Sequence, residues 1–280
     1  MKSVTHHIFY SAKNEEFVVY PIGDVHLGAA VCDEALFAHT VAEILANPNA
    51  YWVGLGDYCD FINRHDKRWR PSEEAAWLHD KNAPARAQIA RFKEMIAPIR
   101  HKALALVKGN HEDVLLAKYE IDAYGEIADD AIACIPPEQY VGEPAFGAAG
   151  FIRLVFRFRA GTGTTGAGWS LTLWLHHGMG GGTLAGGKAL NLERQLAHYM
   201  ADAVLMGHTH VKQVVTRAIA RIAPGGAIQT IERKGAFCGS YYISQDGIET
   251  YAERKGYPPL QTGIVKLIIR PGRKQFQFLT

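Results

Sequence analysis

The chain has 280 residues, of which 48% are hydrophobic and 21% are charged, and its formal net charge is +2. This length and composition predict a folded soluble protein with a substantial core, in one large domain or two small ones. The small net charge does not by itself indicate a nucleic-acid partner, and it does not exclude one.

Targeting and cysteine patterns exclude two further classes of protein. The N-terminus has no apolar signal-type segment, and no stretch approaches the uninterrupted apolar length of a membrane span. The four cysteines show neither C-x-x-C pairing nor the density of a disulfide framework, so they are predicted to be buried as small apolar side chains. The sequence therefore predicts a cytoplasmic protein with no membrane partner, and it makes no prediction of the oligomeric state.

The first half of the chain alternates between predicted strands and helices. Strands are predicted at 17–22, 51–55 and 103–107, and helices at 33–45 and 84–96. Asp33 is the predicted N-cap of the first helix, and Asn47-Pro48 ends it. This β-α-β-α-β order predicts a parallel sheet with right-handed crossovers. Residues 61–82, which lie between these elements, are predicted to form an exposed excursion.

The second half of the chain is predicted to be helical at 112–135 and mostly strands after that. Apolar residues alternate with arginines at 152–158, which predicts a strand joined through the glycine-rich turn 161–166 to a strand at 171–175, as a hairpin. A helix is predicted at 191–200, and strands at 203–206, 214–220, 227–232, 236–243, 263–269 and 275–279. The predicted fold class is α/β: two stacked mixed β-sheets flanked by helices, in a single domain 1–280 with excursions at about 61–82 and 112–150.

Polar clusters follow five of the predicted strands directly. They are Gly23-Asp24-Val25-His26, Gly56-Asp57-Tyr58-Cys59-Asp60, Gly109-Asn110-His111-Glu112, His176-His177-Gly178 and Gly207-His208-Thr209-His210. Because the ends of parallel strands meet at one edge of a sheet, these side chains can converge on one point. Carboxylates, imidazoles and an amide, without a thiolate, form the ligand set of a two-metal hydrolytic centre.

In this order the clusters resemble the signature of the calcineurin-like metallophosphoesterase superfamily, which runs D-x-H, G-D-x-x-D, G-N-H-[DE], H and G-H-x-H. The resemblance covers about residues 18–210. It implies the family's α/β sandwich, with the ligands at the C-terminal ends of strands. It also implies hydrolysis of a phosphate ester by a hydroxide held by two divalent metal ions, with manganese as the first choice and iron, zinc, nickel or cobalt as alternatives.

The resemblance also implies which residues hold the metals. Asp57 would bridge both ions; the remaining ligands would be Asp24, His26 and His210 for one ion, and Asn110, His176 and His208 for the other. For the adjacent histidines, the family pattern favours His176. The alternative is that His177 is the ligand, or that it donates a hydrogen bond to one.

Three neighbours of the ligands have implied roles in catalysis. His111 would contact the phosphate and donate a proton to the leaving oxygen, so His111 and Asp57 are the predicted catalytic residues. Glu112 would hold His111 or a neighbouring cation, and Asp60 would order a ligand histidine or a loop amide.

Two sequence features bear on the substrate. Protein phosphatases of this superfamily read G-D-x-x-D-R-G, where the arginine helps to hold the phosphate, but here Phe61 and Ile62 follow Asp60, which disfavours a phosphoprotein substrate. Residues 182–188 imitate the spacing of a P-loop, but Ala189 replaces the required Ser/Thr, so a glycine-rich loop beside the metals is predicted instead. Lys188 in that loop would be either a phosphate contact or a solvated lysine.

The first choice of reaction is phosphodiester hydrolysis, with nucleic acid as a possible substrate. Cations accompany an aromatic ring twice in the sequence, in Arg64, Lys67, Arg68, Trp69 and Arg70 and again in Arg254-Lys255-Gly256-Tyr257. This combination is typical of single-strand binding, although solvated surface charge explains it equally well. The alternatives are a phosphomonoesterase or small-nucleotide phosphodiesterase, and a non-catalytic metal-dependent scaffold.

Overall fold

The computed structural model describes residues 1–159, 168–180, 184–243, 247 and 249–280. The described strands are β1 (Lys2–Tyr10), β2 (Phe17–Ile22), β3 (Ala50–Gly54), β4 (Ala103–Leu106), β5 (Tyr140–Gly142), β6 (Ala149–Phe158), β7 (Trp169–His176), β8 (Ala203–Met206), β9 (Lys212–Ile222), β10 (Ile228–Ser240), β11 (Gly263–Ile264), β12 (Lys266–Arg270) and β13 (Gln275–Leu279). The described α-helices are α1 (Glu34–Ala46), α2 (Pro84–Ile96), α3 (Asn110–Tyr119), α4 (Ala123–Ile132), α5 (Ala185–His198) and α6 (Tyr251–Arg254).

Local sequence signals explain the helices that lead into the site. The Asp33 side chain accepts a hydrogen bond from the Leu36 backbone N–H at 2.9 Å, which satisfies one of the unpaired donors at the start of α1. Pro84 is the first residue of α2, a position where its missing N–H costs nothing. These signals confirm the first two predicted helices.

Both sheets mix parallel and antiparallel pairs, which confirms the predicted fold class. The smaller sheet has the order β13-β12-β2-β3-β4, in which β2, β3 and β4 are parallel and β12 runs antiparallel to β2. The larger sheet has the order β11-β10-β8-β7-β6-β1-β5, and β9 pairs with β10 outside this path. In this sheet β7, β8 and β10 are mutually parallel, so their C-terminal ends share one edge.

The core lies between the two sheets and is built from both of them. Its buried members include Val19, Val53 and Leu104 from the smaller sheet and Leu154, Leu173 and Leu205 from the larger one. The outer face of the smaller sheet packs against α1, α2 and α4, and the outer face of the larger sheet packs against α5. The helices therefore flank two stacked sheets.

Several elements differ from the sequence prediction. The strands β1 and β5 were not predicted, and the predicted strands 227–232 and 236–243 form the single strand β10. Helix α5 begins at Ala185 instead of 191, so Gly186, Gly187 and Lys188 of the predicted loop 182–188 are helical, while residues 182 and 183 lie outside the described residues. Packing of Leu192 and Leu196 against the sheet offsets the cost of about 1 kcal/mol for each helical glycine.

The remaining predictions concern the hairpin of β6 and β7 and the two excursions, 61–82 and 112–150. The predicted hairpin of β6 and β7 is confirmed by their antiparallel pairing, whereas the turn 161–166 lies outside the described residues. The stretch 112–150 contains α4, β5 and most of α3, and the stretch 61–82 contains only two short 3-10 turns. No helix among the described residues is long and apolar enough to cross a membrane.

Candidate metal centre

The predicted ligand clusters converge where the strand ends of the two sheets meet. Asp24 and His26 follow β2, Asp57 follows β3, and Asn110 opens α3 after β4, all in the smaller sheet. The larger sheet contributes the residues that follow β7 and β8. The site therefore draws ligands from both layers of the sandwich.

One group of ligand atoms comprises Asp24, His26 and His210. The Nε2 atom of His26 lies 3.1 Å from the Nε2 atom of His210, and His210 Nε2 lies 3.6 Å from Asp24 Oδ1. Asp24 and His26 are buried, and His210 is half-buried. Two nitrogens and a carboxylate oxygen thus face one point, as the ligands of a divalent cation do.

A second group comprises Asp57, His177 and His208, with Asn110 between the two histidines. The Oδ1 atom of Asn110 lies 3.0 Å from His177 Nε2 and 2.9 Å from His208 Nδ1. Asp57 Oδ2 lies 3.3 Å from His177 Nε2 and 4.0 Å from His26 Nε2. Asp57 is therefore placed between the two groups, where a bridging carboxylate has to be.

The structure brings His177 into this group and leaves His176 out, which reverses the preference drawn from the sequence. His177 is buried and its Nδ1 lies 2.6 Å from the Leu55 carbonyl, whereas His176 Nδ1 accepts from the Gly178 N–H at 2.7 Å. Strand parity explains the choice, because Leu173 and Leu175 point into the inter-sheet core and residue 177 has the same parity. That alternation is a signal in the sequence that could have identified His177.

Five of the predicted ligands have left-handed backbone conformations. The φ angles are 48° for Asp24, 49° for His26, 51° for Asp57, 69° for His208 and 55° for His210. Non-glycine residues rarely adopt this conformation, and strained positions of this kind concentrate at functional sites. The strain aims these side chains at a common centre immediately after their strands end.

Gly109 shows how closely the backbone packs around Asp57. A Cβ atom added at Gly109 would lie 2.2 Å from both the backbone N and the Oδ1 of Asp57. No side chain fits at that distance, so glycine is required where the loop before α3 meets the loop after β3.

Burial and neighbouring charges set the protonation of the ligands. Burial raises the pKa of Asp24 well above its ordinary value. Burial also acts to raise the pKa of Asp57, but His111 and His177 outweigh it and lower that pKa well below the ordinary value. The charge of Asp57 in turn outweighs burial at His177 and raises its pKa to about 10. Burial lowers the pKa of His208 to about 4 and that of His210 well below its ordinary value.

The residues present fit a pair of divalent cations. Asp24 Oδ1 is buried without a hydrogen-bond partner, which in a folded protein calls for a specific cause. The His26 and His210 Nε2 atoms also lie close together, and they cannot hydrogen-bond to each other if both are unprotonated acceptors. A shared cation would account for both observations, and the mixed oxygen and imidazole set suits first-row transition metals.

His111 and Asp60 lie beside the two groups. The His111 backbone N–H donates to Asp57 Oδ1 at 2.9 Å, and its ring Nδ1 contacts the Asp60 carbonyl oxygen. The Asp60 side chain places Oδ1 3.4 Å from His26 Nδ1. Asp60 thus contacts a ligand histidine, the kind of contact expected of a residue that orders one.

Glu112 has a different environment from the one predicted. Its carboxylate accepts hydrogen bonds from the backbone N–H groups of Asp57, Tyr58 and Gly109, at 3.0, 2.9 and 2.9 Å. It therefore fixes the loop that carries Asp57 to the start of α3, rather than the His111 side chain. Burial, followed by the charge of Asp57, raises the pKa of Glu112 to about 7.

A cavity of about 280 Å³ opens above the two groups. The aromatic rings on its wall belong to Trp69, Tyr242 and Tyr257. Tyr242 was not predicted, yet its ring centroid lies 6.0 Å from that of His26 and 5.6 Å from that of His210. It follows β10, which is parallel to β8, so the strand-end reasoning that found the ligands could also have found Tyr242.

Cations of the predicted binding segments have varied partners. Lys188 is buried and lines the cavity, and burial lowers its pKa, so it is not the solvated lysine of the alternative prediction. Arg64 lies over the Trp69 ring at 5.8 Å, and Arg70 Nη1 donates to the Trp69 carbonyl at 2.7 Å. Arg254 pairs with Glu73 at 2.6 Å.

Proteins similar to this chain are found among solved structures. No curated protein matches the chain. Similar solved structures include a conserved uncharacterized protein from Streptococcus pneumoniae TIGR4, described as a predicted phosphoesterase (13% identity, 95% of this chain and 90% of that chain covered, TM-score 0.35). They also include Vps29 from Entamoeba histolytica as a single mutant (11% identity, 94% and 98% covered, TM-score 0.40) and Vps29 from Chaetomium thermophilum (11%, 94% and 93%, TM-score 0.37).

The family comparison covers the whole metal centre. The model described as calcineurin-like phosphoesterase matches residues 17–212, a range that contains both groups of ligand atoms together with His111 and Glu112. The chain therefore belongs to the calcineurin-like phosphoesterase family.

Proposed function

We propose that this protein is a two-metal phosphodiesterase that hydrolyses a small phosphodiester in the cavity above its metal centre. Membership of the family supports a metal-dependent phosphoesterase. The observation that carries the two-metal proposal is the position of Asp57, whose Oδ2 lies 3.3 Å from His177 and 4.0 Å from His26, one histidine from each group.

The proposed ligands follow the two groups, with one change from the sequence prediction. Asp57 would be shared by both ions; Asp24, His26 and His210 would hold one ion, and Asn110, His177 and His208 would hold the other. When bound, such ions neutralise charge on the reacting phosphate and lower the pKa of water, and manganese remains the first choice.

The surrounding residues supply the proton chemistry. His111 Nδ1 contacts the Asp60 carbonyl, so Nδ1 carries the hydrogen and Nε2 is the atom available to a substrate. In the imidazolium form Nε2–H can donate a proton to the leaving oxygen. Glu112 holds the Asp57 loop in place through three backbone hydrogen bonds, and it is not among the residues that line the cavity.

The cavity favours a diester over a monoester. A monoester carries close to two negative charges at neutral pH, whereas a diester carries one. A diester also carries a second organic group, and the apolar side chains of Val31, Ile62 and Leu260 line the cavity beside charged residues of both signs, which suits that group. A volume of about 280 Å³ lies near the lower end of the range for small-molecule pockets, so it suits a substrate of nucleotide size rather than a duplex.

A parallel assay of the manganese-loaded protein tests this proposal. The substrates are a chromogenic diester, a chromogenic monoester, a cyclic nucleotide, and single- and double-stranded DNA. We expect metal-dependent turnover of the diester and the cyclic nucleotide to exceed that of the monoester and of duplex DNA. Faster hydrolysis of DNA would restore the nucleic-acid substrate. Full metal occupancy without turnover on any ester would support the non-catalytic scaffold.

A further inference from the structure

We propose that Arg68 binds the substrate phosphate and replaces the arginine that related protein phosphatases carry directly after the second aspartate of their G-D-x-x-D-R-G motif. This inference rests on the proposed function, because it assigns a phosphate contact within the same site. It concerns a residue outside the family motif, in the excursion 61–82.

The position where the motif carries its arginine is closed to a cation in this protein. Phe61 occupies it and is only 7% exposed, as part of the core between the smaller sheet and the helices. The Phe61 backbone N–H donates to Gln88 Oε1 at 2.9 Å, and its φ angle is 52°. A charged side chain here would lose its hydration without reaching the cavity, so another residue has to supply the contact.

Arg68 is fixed in place by a neighbouring carboxylate. Its Nε donates to Asp66 Oδ1 at 3.1 Å, and its Nη2 donates to Asp66 Oδ2 at 2.9 Å. The Arg68 backbone N–H also donates to Asp66 Oδ1, at 2.9 Å. A two-bond pair of this kind orients the planar guanidinium as well as neutralising it. The hydrogen bonds from Arg68 lower the pKa of Asp66 to about 2, so the pair stays charged at neutral pH.

The orientation directs the remaining nitrogen of Arg68 towards the proposed proton donor. Arg68 Nη1 lies 3.4 Å from His111 Nε2, and both residues line the cavity together with Asp57 and Asn110. Two N–H donors at this separation can share one acceptor oxygen at ordinary hydrogen-bond lengths. A phosphoryl oxygen that contacts His111 would therefore contact Arg68 as well.

The other arginines of the excursion have different surroundings. Arg64 is exposed and lies over Trp69, and it is not among the residues that line the cavity. Arg70 also lines the cavity, but its Nη1 donates to backbone carbonyls of Lys67 and Trp69, at 3.4 and 2.7 Å, and so stabilises the loop itself. The geometry thus singles out Arg68 for the phosphate.

The test compares phosphate binding by manganese-loaded variants. Calorimetry measures the Kd for inorganic phosphate in wild type, Arg68→Gln, Arg68→Lys and Arg221→Gln, together with their metal content. Arg68→Gln should weaken phosphate binding by about 10- to 150-fold, the scale of a lost hydrogen bond to a charged group. Arg68→Lys should recover part of the affinity, because it keeps the charge without the planar fork. Arg221, an exposed arginine on β9 that donates to Gln229 at 3.1 Å, is the matched control and should change the Kd less than about twofold.

A second comparison separates phosphate contact from positioning of His111. In a His111→Ala background, Arg68→Gln should still weaken phosphate binding, because Arg68 contacts the anion itself. An unchanged Kd in that background would overturn the proposal and leave Arg68 acting only through His111. A loss of bound metal in Arg68→Gln would also overturn it, by assigning the arginine to the metal centre.

The failure of this inference can be told apart from the failure of the proposed function. If wild type turns over the diester while Arg68→Gln keeps the wild-type phosphate Kd and KM, the function stands and the role of Arg68 is refuted. If phosphate binding depends on Arg68 but no ester is hydrolysed, the role of Arg68 stands and the proposed function is refuted.

Discussion

Two buried histidines, one in the core between the sheets and one at the candidate metal centre, have pKa values shifted in opposite directions. His6 on β1 is 3% exposed and its Nε2 lies 2.7 Å from the Leu104 carbonyl, and burial lowers its pKa to about 4. His177 is 4% exposed and its Nδ1 lies 2.6 Å from the Leu55 carbonyl, yet its pKa is about 10. Burial acts to lower both values, and the carboxylate of Asp57 reverses the outcome at His177.

The contrast extends to the regions around the two residues. In the inter-sheet core the polar ring of His6 is neutral and hydrogen-bonded, as buried polar groups generally are. At the strand ends, buried charges, left-handed ligands and the unpartnered Asp24 Oδ1 occupy one small volume. Such an arrangement opposes folding and persists only where the surrounding structure enforces it, which is the expected signature of a functional site.

Asp57→Asn removes the charge on which this contrast depends. Turnover should fall by at least about 10³-fold, because a neutral amide cannot hold two dications together, a loss of several kcal/mol in the transition state. Circular dichroism should show an unchanged fold. Asp130→Asn, which neutralises a half-buried carboxylate on α4 that pairs with Arg100 and Lys93 away from the site, should retain turnover. An Asp57 variant that binds both metals and keeps a substantial fraction of wild-type turnover would refute the bridging role.

His111→Ala tests whether His111 donates a proton to the leaving oxygen. Turnover should fall by about 10²- to 10⁴-fold on a substrate with a poor leaving group, the usual scale of general acid catalysis. A nitrophenolate leaving group needs little protonation, so the loss on that substrate should be much smaller. Equal losses on the two substrates would instead assign His111 to phosphate positioning or to structure.

The paired variants His177→Ala and His176→Ala test whether His177, rather than His176, is the metal ligand after β7. His177→Ala should lose one bound metal and lower turnover by about 10²-fold, since a ligand is removed from one ion only. His176→Ala should keep the full metal content, because that ring contacts the Gly178 backbone instead of the site. Elemental analysis measures the metal content of the two purified variants. A metal deficit confined to His176→Ala would restore His176 as the ligand.

His6→Gln tests the core side of the comparison, and it should leave turnover unchanged. The folded-state pKa of His6 is lowered to about 4, so its stabilising contribution is present above about pH 6.5 and is lost as the pH falls towards 4. Between about pH 7.5 and pH 4.5 the wild type should therefore lose about 2 to 3 kcal/mol more unfolding free energy than the glutamine variant. Urea denaturation of the metal-free proteins measures the difference, and parallel pH profiles would show that His6 does not titrate in this way.

Sequence predicts most of the fold where local signals are strong. Helix α2 begins at its proline and ends at Ile96 as predicted, and β8 has its predicted bounds, because periodicity, caps and short apolar runs are local properties. Strand β1 was missed because His6 takes an inward position and breaks the apparent alternation of Val4 and Ile8. A polar residue buried by tertiary contacts cannot be recognised from pattern alone.

Most residues of the candidate site could likewise be predicted from sequence motifs, and the remaining ones depend on tertiary packing. The motifs bring Asp24, His26, Asp57, Asn110, His208 and His210 into two groups at one edge. The choice between His176 and His177 depended on the register of β7, and the contacts of Glu112 depended on how two loops pack. Arg68 reaches the cavity through a loop with no regular pattern, and no local signal distinguishes it from Arg64 or Arg70.

The pairing of β12 with β2 has a consequence for how the chain is made. Asp24 and His26 follow β2, yet one edge of β2 is covered only when residues 266–270 have been made. The Asp24 carbonyl accepts a hydrogen bond from the Tyr241 backbone N–H at 3.1 Å, and this bond can form only after residue 241 has been made. A nascent chain that has reached residue 212 holds every proposed ligand but lacks β10 and β12, so open strand edges remain in both sheets. The ligand-bearing strand β2 therefore reaches its final pairing only after residues 266–270 have left the ribosome.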